Sequence, residues 1–163
     1  DTFKNFKEHF KKSVLFYDTT KEIREYAIKT SLLNDKKKEF YYLEFGVYKG
    51  RGANLFSKYV NKLYAFDSFE GLKEDWVDNF LKKHNPKINF VHLDMDTYSP
   101  TKFTLEKIKP YLVKDAILVF DELFNFIGWE NGEYKALNEV FKENEFVYRA
   151  FRVNAEQSVI QIK

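Results

Sequence analysis

Apolar and polar residues follow two different periods along this chain, and the switches between them outline a layered α/β fold. From about Phe3 to Leu33 charged residues interleave with apolar ones at helical spacing, as at Ile23, Tyr26, Ala27 and Thr30. That pattern predicts one or two amphipathic helices. The period then changes. Phe40-Tyr41-Tyr42-Leu43-Glu44-Phe45 is a short aromatic-rich run that stops at a glycine, which predicts a buried strand. Gly46, Gly50 and Gly52 make the turn, and Ala53 to Val60 reads as helix. Apolar runs at Leu63–Phe66, Ile88–Leu93 and Ala116–Phe120 predict further strands, ending on Asp67, on Asp94 and on Asp121-Glu122. Ser99-Pro100-Thr101 marks a helix start, with a serine N-cap and proline at the first helical position, running to about Tyr111. Gly132 to Asn144 reads as helix. Phe146–Val153 and Ser158–Ile162 form an antiparallel hairpin around the polar turn Asn154-Ala155-Glu156-Gln157.

Strands alternating with helices predict a mostly parallel α/β sheet covered on both faces, three layers α/β/α, with the closing hairpin as an antiparallel edge. Ligands bind such sheets beyond the carboxyl ends of the strands. The polar residues collect there: Glu44 and Gly46, Asp67, Asp94 and Asp96, Asp121 and Glu122 each stand at or near a predicted strand end.

Length and composition narrow the class. The 163 residues suffice for a single domain with one core. Hydrophobic residues at 44%, with 18 Phe and 11 Tyr among them, argue against disorder. Basic and acidic residues number 27 and 25, and a net charge of +2 gives no long-range attraction to nucleic acid or an anionic membrane. Lys36-Lys37-Lys38 reads as a solvated loop. No cysteine is present, which excludes a disulfide scaffold, a thiolate zinc site and a cysteine nucleophile. No apolar run has the length of a membrane span, and nothing resembles a signal peptide, so a cytoplasmic location is expected. Absence of a starting methionine suggests sequence upstream of Asp1. The aromatic-rich N-terminal helices could pack on a second copy in a homo-oligomer or on their own core.

The glycine turn Glu44-Phe45-Gly46-Val47-Tyr48-Lys49-Gly50-Arg51-Gly52 has the spacing G-x-x-x-G-x-G, not the G-x-G-x-x-G that seats a pyrophosphate. An acid two residues before the first glycine suits a ligand carrying an ammonium group; the same residues also fit a turn that binds nothing. Asp67 could accept hydrogen bonds from both hydroxyls of a ribose, or simply open the turn that follows. Asp94, Asp96, Asp121 and Glu122 end two strands that should be neighbours, and four carboxylates there repel unless a cation intervenes. A hard divalent cation such as Mg²⁺ answers that repulsion and keeps positions open for a substrate oxygen; helix capping and loop hydrogen bonds are the alternative. His92 faces the side opposite Val91 and reads as a core histidine, His84 as a surface residue. Trp129, near Glu130 and Glu133, is either a pocket wall or core.

Taken together, Glu44 to Gly52, then Tyr64-Ala65-Phe66-Asp67-Ser68-Phe69-Glu70-Gly71-Leu72, His92-Leu93-Asp94-Met95-Asp96-Thr97-Tyr98-Ser99 and Val119-Phe120-Asp121-Glu122 resemble the macrocin O-methyltransferase family of class I methyltransferases. The resemblance covers about Phe40 to Phe141. It implies a Rossmann-like, doubly wound sheet that binds S-adenosylmethionine, and transfer of a methyl group to a hydroxyl of a sugar or other small natural product. Carried over, Glu44, Gly46, Tyr48 and Gly50 would line the methionine part. Asp67 would hold the ribose, with Ser68 beside it in the cofactor site. Asp94, Asp121 and Glu122 match the metal positions, and Asp96, with Asp94, the catalytic ones. One departure stands out. Between Asp67 and Ile88 the chain is too short for the helix, strand and second helix of such a sheet, which predicts a segment absent near Trp76-Val77 within a single domain spanning 1–163, its first 38 residues being an N-terminal helical segment. A non-catalytic binding or scaffold domain is the competing reading, and a dinucleotide oxidoreductase fails on glycine spacing.

Overall fold

A computed structural model describes residues 14–67 and 74–163 of the chain. Its centre is a seven-stranded sheet in the order β1-β6-β7-β5-β4-β2-β3. The strands are β1 (Leu15–Tyr17), β2 (Tyr41–Phe45), β3 (Tyr64–Phe66), β4 (Ile88–Leu93), β5 (Leu112–Phe120), β6 (Phe146–Arg152) and β7 (Ser158–Ile162). The helices are α1 (Thr20–Asn34), α2 (Arg51–Phe56), α3 (Glu74–His84), α4 (Tyr98–Ile108) and α5 (Glu133–Val140). Only β7 among these strands runs against its neighbours, pairing antiparallel with both β5 and β6. The sheet is therefore Rossmann-like, mostly parallel with one antiparallel strand.

Both faces are covered, which explains the uninterrupted apolar runs. Every residue of β4 is buried, as are the last five of β5, the pattern of parallel strands packed from two sides. On one face Ile23, Ala27 and Ile28 of α1 and Phe56 of α2 join Tyr42, Phe90, Ile117 and Val119 in one core cluster. On the other, Val77 and Leu81 of α3, Leu105 and Ile108 of α4, and Ala136 and Leu137 of α5 join Leu43, Val91, Leu118 and Phe120. Residues alternate between these cores along β5, from Ala116 to Phe120, as strand geometry requires.

Several sequence expectations need correction. The first stretch is not all helix: Leu15–Tyr17 is a strand that pairs parallel with β6, because its three residues can extend the sheet edge beside Ala150–Arg152. The expectation for 3–13 lies outside the described residues. The hairpin consequently sits inside the sheet, with β1 beyond it as the edge. Helix α2 begins at Arg51 and ends at Phe56, earlier than Ala53–Val60. Helix α4 starts after Thr97, not Ser99, and Pro100 falls within its first turn; Thr97 makes no side-chain cap, and Thr101 Oγ1 donates instead to its carbonyl (2.8 Å). Helix α5 stops at Val140, and the chain reaches β6 through a 3₁₀ turn at Glu143–Glu145. His84, expected at the surface, is half-buried: its ring packs against Tyr41, Tyr64 and Phe80, 4.7 Å from the last. Between β3 and β4 the described residues contain one helix, α3, which runs unbroken through Trp76 and Val77.

Candidate active site

Register brings the site together. Phe45 pairs with both Phe66 and Leu93, and Leu93 pairs with Phe120. The next residue on each strand is then Gly46, Asp67, Asp94 or Asp121. The ladder continues one step past the strands to lock that row: Gly46 N–H donates to Phe66 O, Asp94 N–H to Phe45 O and Asp121 N–H to Leu93 O, each at 2.9 Å. One row at one edge thus holds three carboxylates and the glycine turn.

The turn is shaped by close approach. Gly46 has φ +85°, and a Cβ there would come within 1.7 Å of the Asp94 carbonyl oxygen. Gly52 lies over Glu44, where a Cβ would meet Oε1 at 1.9 Å. Asp67 fixes the turn from the neighbouring strand, its Oδ2 accepting from the N–H groups of Val47 (3.2 Å) and Tyr48 (2.6 Å). Tyr48 itself is 75% exposed with φ +44°. Ser68 lies outside the described residues.

Beneath the turn is a buried polar chain that sequence reasoning did not find. Glu44 is 1% exposed, and its Oε1 lies 3.0 Å from His92 Nδ1. Its Oε2 is buried without a hydrogen-bond partner. On its far side, His92 Nε2 stands 3.6 Å from Asp121 Oδ1, too far for a hydrogen bond, and has no other partner. His92 is a core residue as expected, yet it bridges two acids. Arg24, from α1, is 8% exposed and reaches the same oxygen: its Nη2 donates to Asp121 Oδ1 at 2.6 Å and lies 3.6 Å from Asp94 Oδ2. A signal for Arg24 was present, because it shares the helical stripe of Ala27, Ile28 and Ser31, where a cation is out of place.

These neighbours set the charges. Burial would raise Asp121, but His92 and Arg24 hold its carboxyl well below the ordinary range. Burial, then Asp121, pushes Asp94 up to about 6. Asp96, exposed and at φ +61°, is raised by burial and by Asp121. Glu122 is pushed up to about 7 by burial and by Asp96, Asp121 and Asp94. Burial lowers His92, but the pull of Asp121 and Glu44 outweighs it and leaves the imidazole above its usual value. Behind Glu122, fully buried Glu133 accepts from the Glu122 N–H through Oε2 (3.1 Å), while its Oε1 has no partner. Trp129 is 6% exposed and packs edge-on against Tyr134, so it is core.

A cleft of about 800 Å³ opens beside Asp94 and Asp121, with Arg24, Val47, Tyr48 and Gly52 also in its lining. Whether the residues suit a divalent cation can be judged from their donors. One ligand atom from each of His92, Asp94 and Asp121 lies within 4.8 Å of the others, all three of types that bind such ions. Asp94 and Asp121 are thus brought together as expected, with His92 as the third member of that group; Glu122 lies close enough to feel their charge but outside it. The donor set fits, although Arg24 already holds one of its oxygens. Among the described residues no helix is long and apolar enough to cross a membrane.

No protein-family model matches the chain, and no curated protein sequence does. Solved structures do. CalS11, a TDP-rhamnose 3'-O-methyltransferase of calicheamicin biosynthesis, is 22% identical, covering 86% of this chain and 78% of that one with a TM-score of 0.72. An O-methyltransferase from Bacillus cereus, in complex with SAH, is 10% identical over 98% and 97% of the two chains, with a TM-score of 0.61. MycE, a methyltransferase of the mycinamycin pathway in complex with Mg and SAH, is 11% identical over 81% of this chain and 47% of that one, with a TM-score of 0.56. At these identities the likeness is one of fold, and this chain shares the Rossmann-like fold of O-methyltransferases.

Proposed function

We propose that this chain is an S-adenosylmethionine-dependent O-methyltransferase of the class I superfamily, acting on a hydroxyl of a sugar or other small natural product. The observation that carries the reading is the in-register row of Gly46, Asp67, Asp94 and Asp121 at the carboxyl edge, beside a glycine turn. The fold shared with CalS11, and with proteins that hold SAH, supports it, as does the resemblance to the macrocin O-methyltransferase family.

In this reading Glu44, Gly46, Tyr48 and Gly50 hold the methionine part, with Glu44 Oε2, buried and unpartnered, as the acceptor for its ammonium group. Asp67 and Ser68 serve the ribose. When bound, S-adenosylmethionine supplies a sulfonium methyl for in-line transfer to oxygen. Asp94, Asp121 and Glu122, with His92, are the residues that would hold Mg²⁺, whose contribution would be a lower pKa for the acceptor hydroxyl. Asp96 takes the hydroxyl proton. Its exposure suits contact with a bound acceptor, and its raised pKa brings it towards neutrality, where a general base is most effective. Residues 1–163 form one domain in this reading. The test is a screen of nucleotide-sugar and glycan acceptors with S-adenosylmethionine, with and without Mg²⁺, read by mass spectrometry. A gain of one methyl group on an acceptor hydroxyl is the expected outcome. Transfer to carbon or nitrogen instead would overturn the O-methyltransferase assignment.

A further inference from the structure

The acid cluster already contains a cation of its own. The Asp121 oxygen that faces His92 Nε2 at 3.6 Å is the one Arg24 Nη2 binds at 2.6 Å, and the same nitrogen lies 3.6 Å from Asp94 Oδ2. A guanidinium and a divalent ion cannot share that oxygen, because two cations a few ångströms apart in a partly buried site repel strongly. His92 Nε2, fully buried and without a hydrogen-bond partner, marks the position where a ligand atom is otherwise unexplained. We propose that Arg24 is the resident counter-cation of the Asp94–Asp121 pair, and that a divalent cation enters the cluster only by displacing its guanidinium. The proposal rests on the reading of this cluster as a divalent-cation site.

The geometry favours a side-chain swing over movement of the helix. Ile23, Ala27 and Ile28 on either side of Arg24 are each 0% exposed, which fixes the backbone of α1. Arg24 also lines the open cleft, into which its guanidinium can rotate. Its Nε, buried without a partner, gives no hydrogen bond that would hold the stem in place.

The test is Mn²⁺ binding by electron paramagnetic resonance, with no substrate or turnover involved, on the full chain and on Arg24→Gln, Arg24→Met and Lys21→Gln. Arg24→Gln should bind Mn²⁺ about tenfold or more tightly than the unaltered chain, the scale of one charge-assisted hydrogen bond. Arg24→Met should do the same while keeping an apolar stem, and adding Asp121→Asn to either should erase the gain. Lys21 lines the same cleft without touching the acids, so Lys21→Gln should stay near the unaltered affinity. Equal or weaker Mn²⁺ binding in both Arg24 variants, an absence of binding in every protein, or a matching gain in Lys21→Gln would each overturn the proposal. Calorimetry with SAH on the same samples separates this from the transferase reading: intact SAH binding with the wrong Mn²⁺ order removes only the competition, whereas absence of SAH binding removes the transferase.

Discussion

Asp94 is the residue where position and chemistry meet, since it ends a central strand, touches the glycine turn through its carbonyl and feels both Asp121 and Arg24. Asp94→Ala should lower turnover by at least about a hundredfold, the scale of a lost general base or ion ligand, and abolish any dependence on Mg²⁺. SAH affinity should hardly change, because the Asp94 carboxylate faces Asp121 and Arg24 and is assigned to the ion and the acceptor, not to the cofactor; a parallel loss of SAH binding would place Asp94 in the cofactor site. Gly46→Ala tests the backbone itself. A left-handed residue with a side chain costs roughly 1–2 kcal/mol, and the overlap with the Asp94 carbonyl adds to it. Chemical denaturation should therefore show a loss of about 3 kcal/mol or more. The strand-end acids were legible in the sequence because an apolar run that stops on a carboxylate leaves few other places for it. The helical stripe marks Arg24 as out of place but not its partner, and His92 reads only as core, because their meeting at Asp121 depends on α1 packing over β4 and β5, a long-range contact that no local pattern encodes.

At the scale of elements, α1 delivers Arg24, and its start is fixed by a capping box: Glu22 N–H donates to Thr19 Oγ1 (3.2 Å) and Thr19 N–H to Glu22 Oε2 (3.0 Å). Thr19→Ala should cost about 1 kcal/mol in thermal or urea unfolding while leaving SAH affinity unchanged. Helix α5 presents a different case. Glu133 stands in its first turn, where the helix dipole favours an anion, yet burial dominates and raises its pKa well above the ordinary value. An acid whose folded pKa is raised binds more protons folded than unfolded, so its stabilising contribution is present at low pH and lost as pH rises through the folded value. Glu133→Gln keeps a carbonyl for the Glu122 N–H and cannot ionise. It should match the unaltered chain near pH 5 and melt a few degrees higher near pH 8; a flat difference across that range would contradict the assignment. Element identities followed the periodicity well for β2, β4 and the hairpin, whose apolar runs are long or clearly bounded. They failed at Leu15–Tyr17, where three residues beside charged neighbours carry no usable period, and at Thr97, where extended backbone rather than a side-chain bond begins the helix.

Across the whole molecule, one property organises the rest: β2, β3, β4 and β5 run parallel with their ends aligned, and β1 and β6 run the same way beyond β7. The alternation of strands and helices made this layered arrangement readable from the chain. The place of β1 at the far edge was not, because sheet order beyond neighbouring crossovers is set by packing and not by local pattern. Because the turn and Asp67 share that edge, a single cofactor laid across it would touch two strand ends, with the acid pair on the two strands beside them. Isothermal titration of the chain with SAH tests this most directly. The account predicts one binding site, weakened by about tenfold or more in Glu44→Gln and in Asp67→Asn. Heat-free titration of a folded chain, or full affinity in both variants, would contradict it.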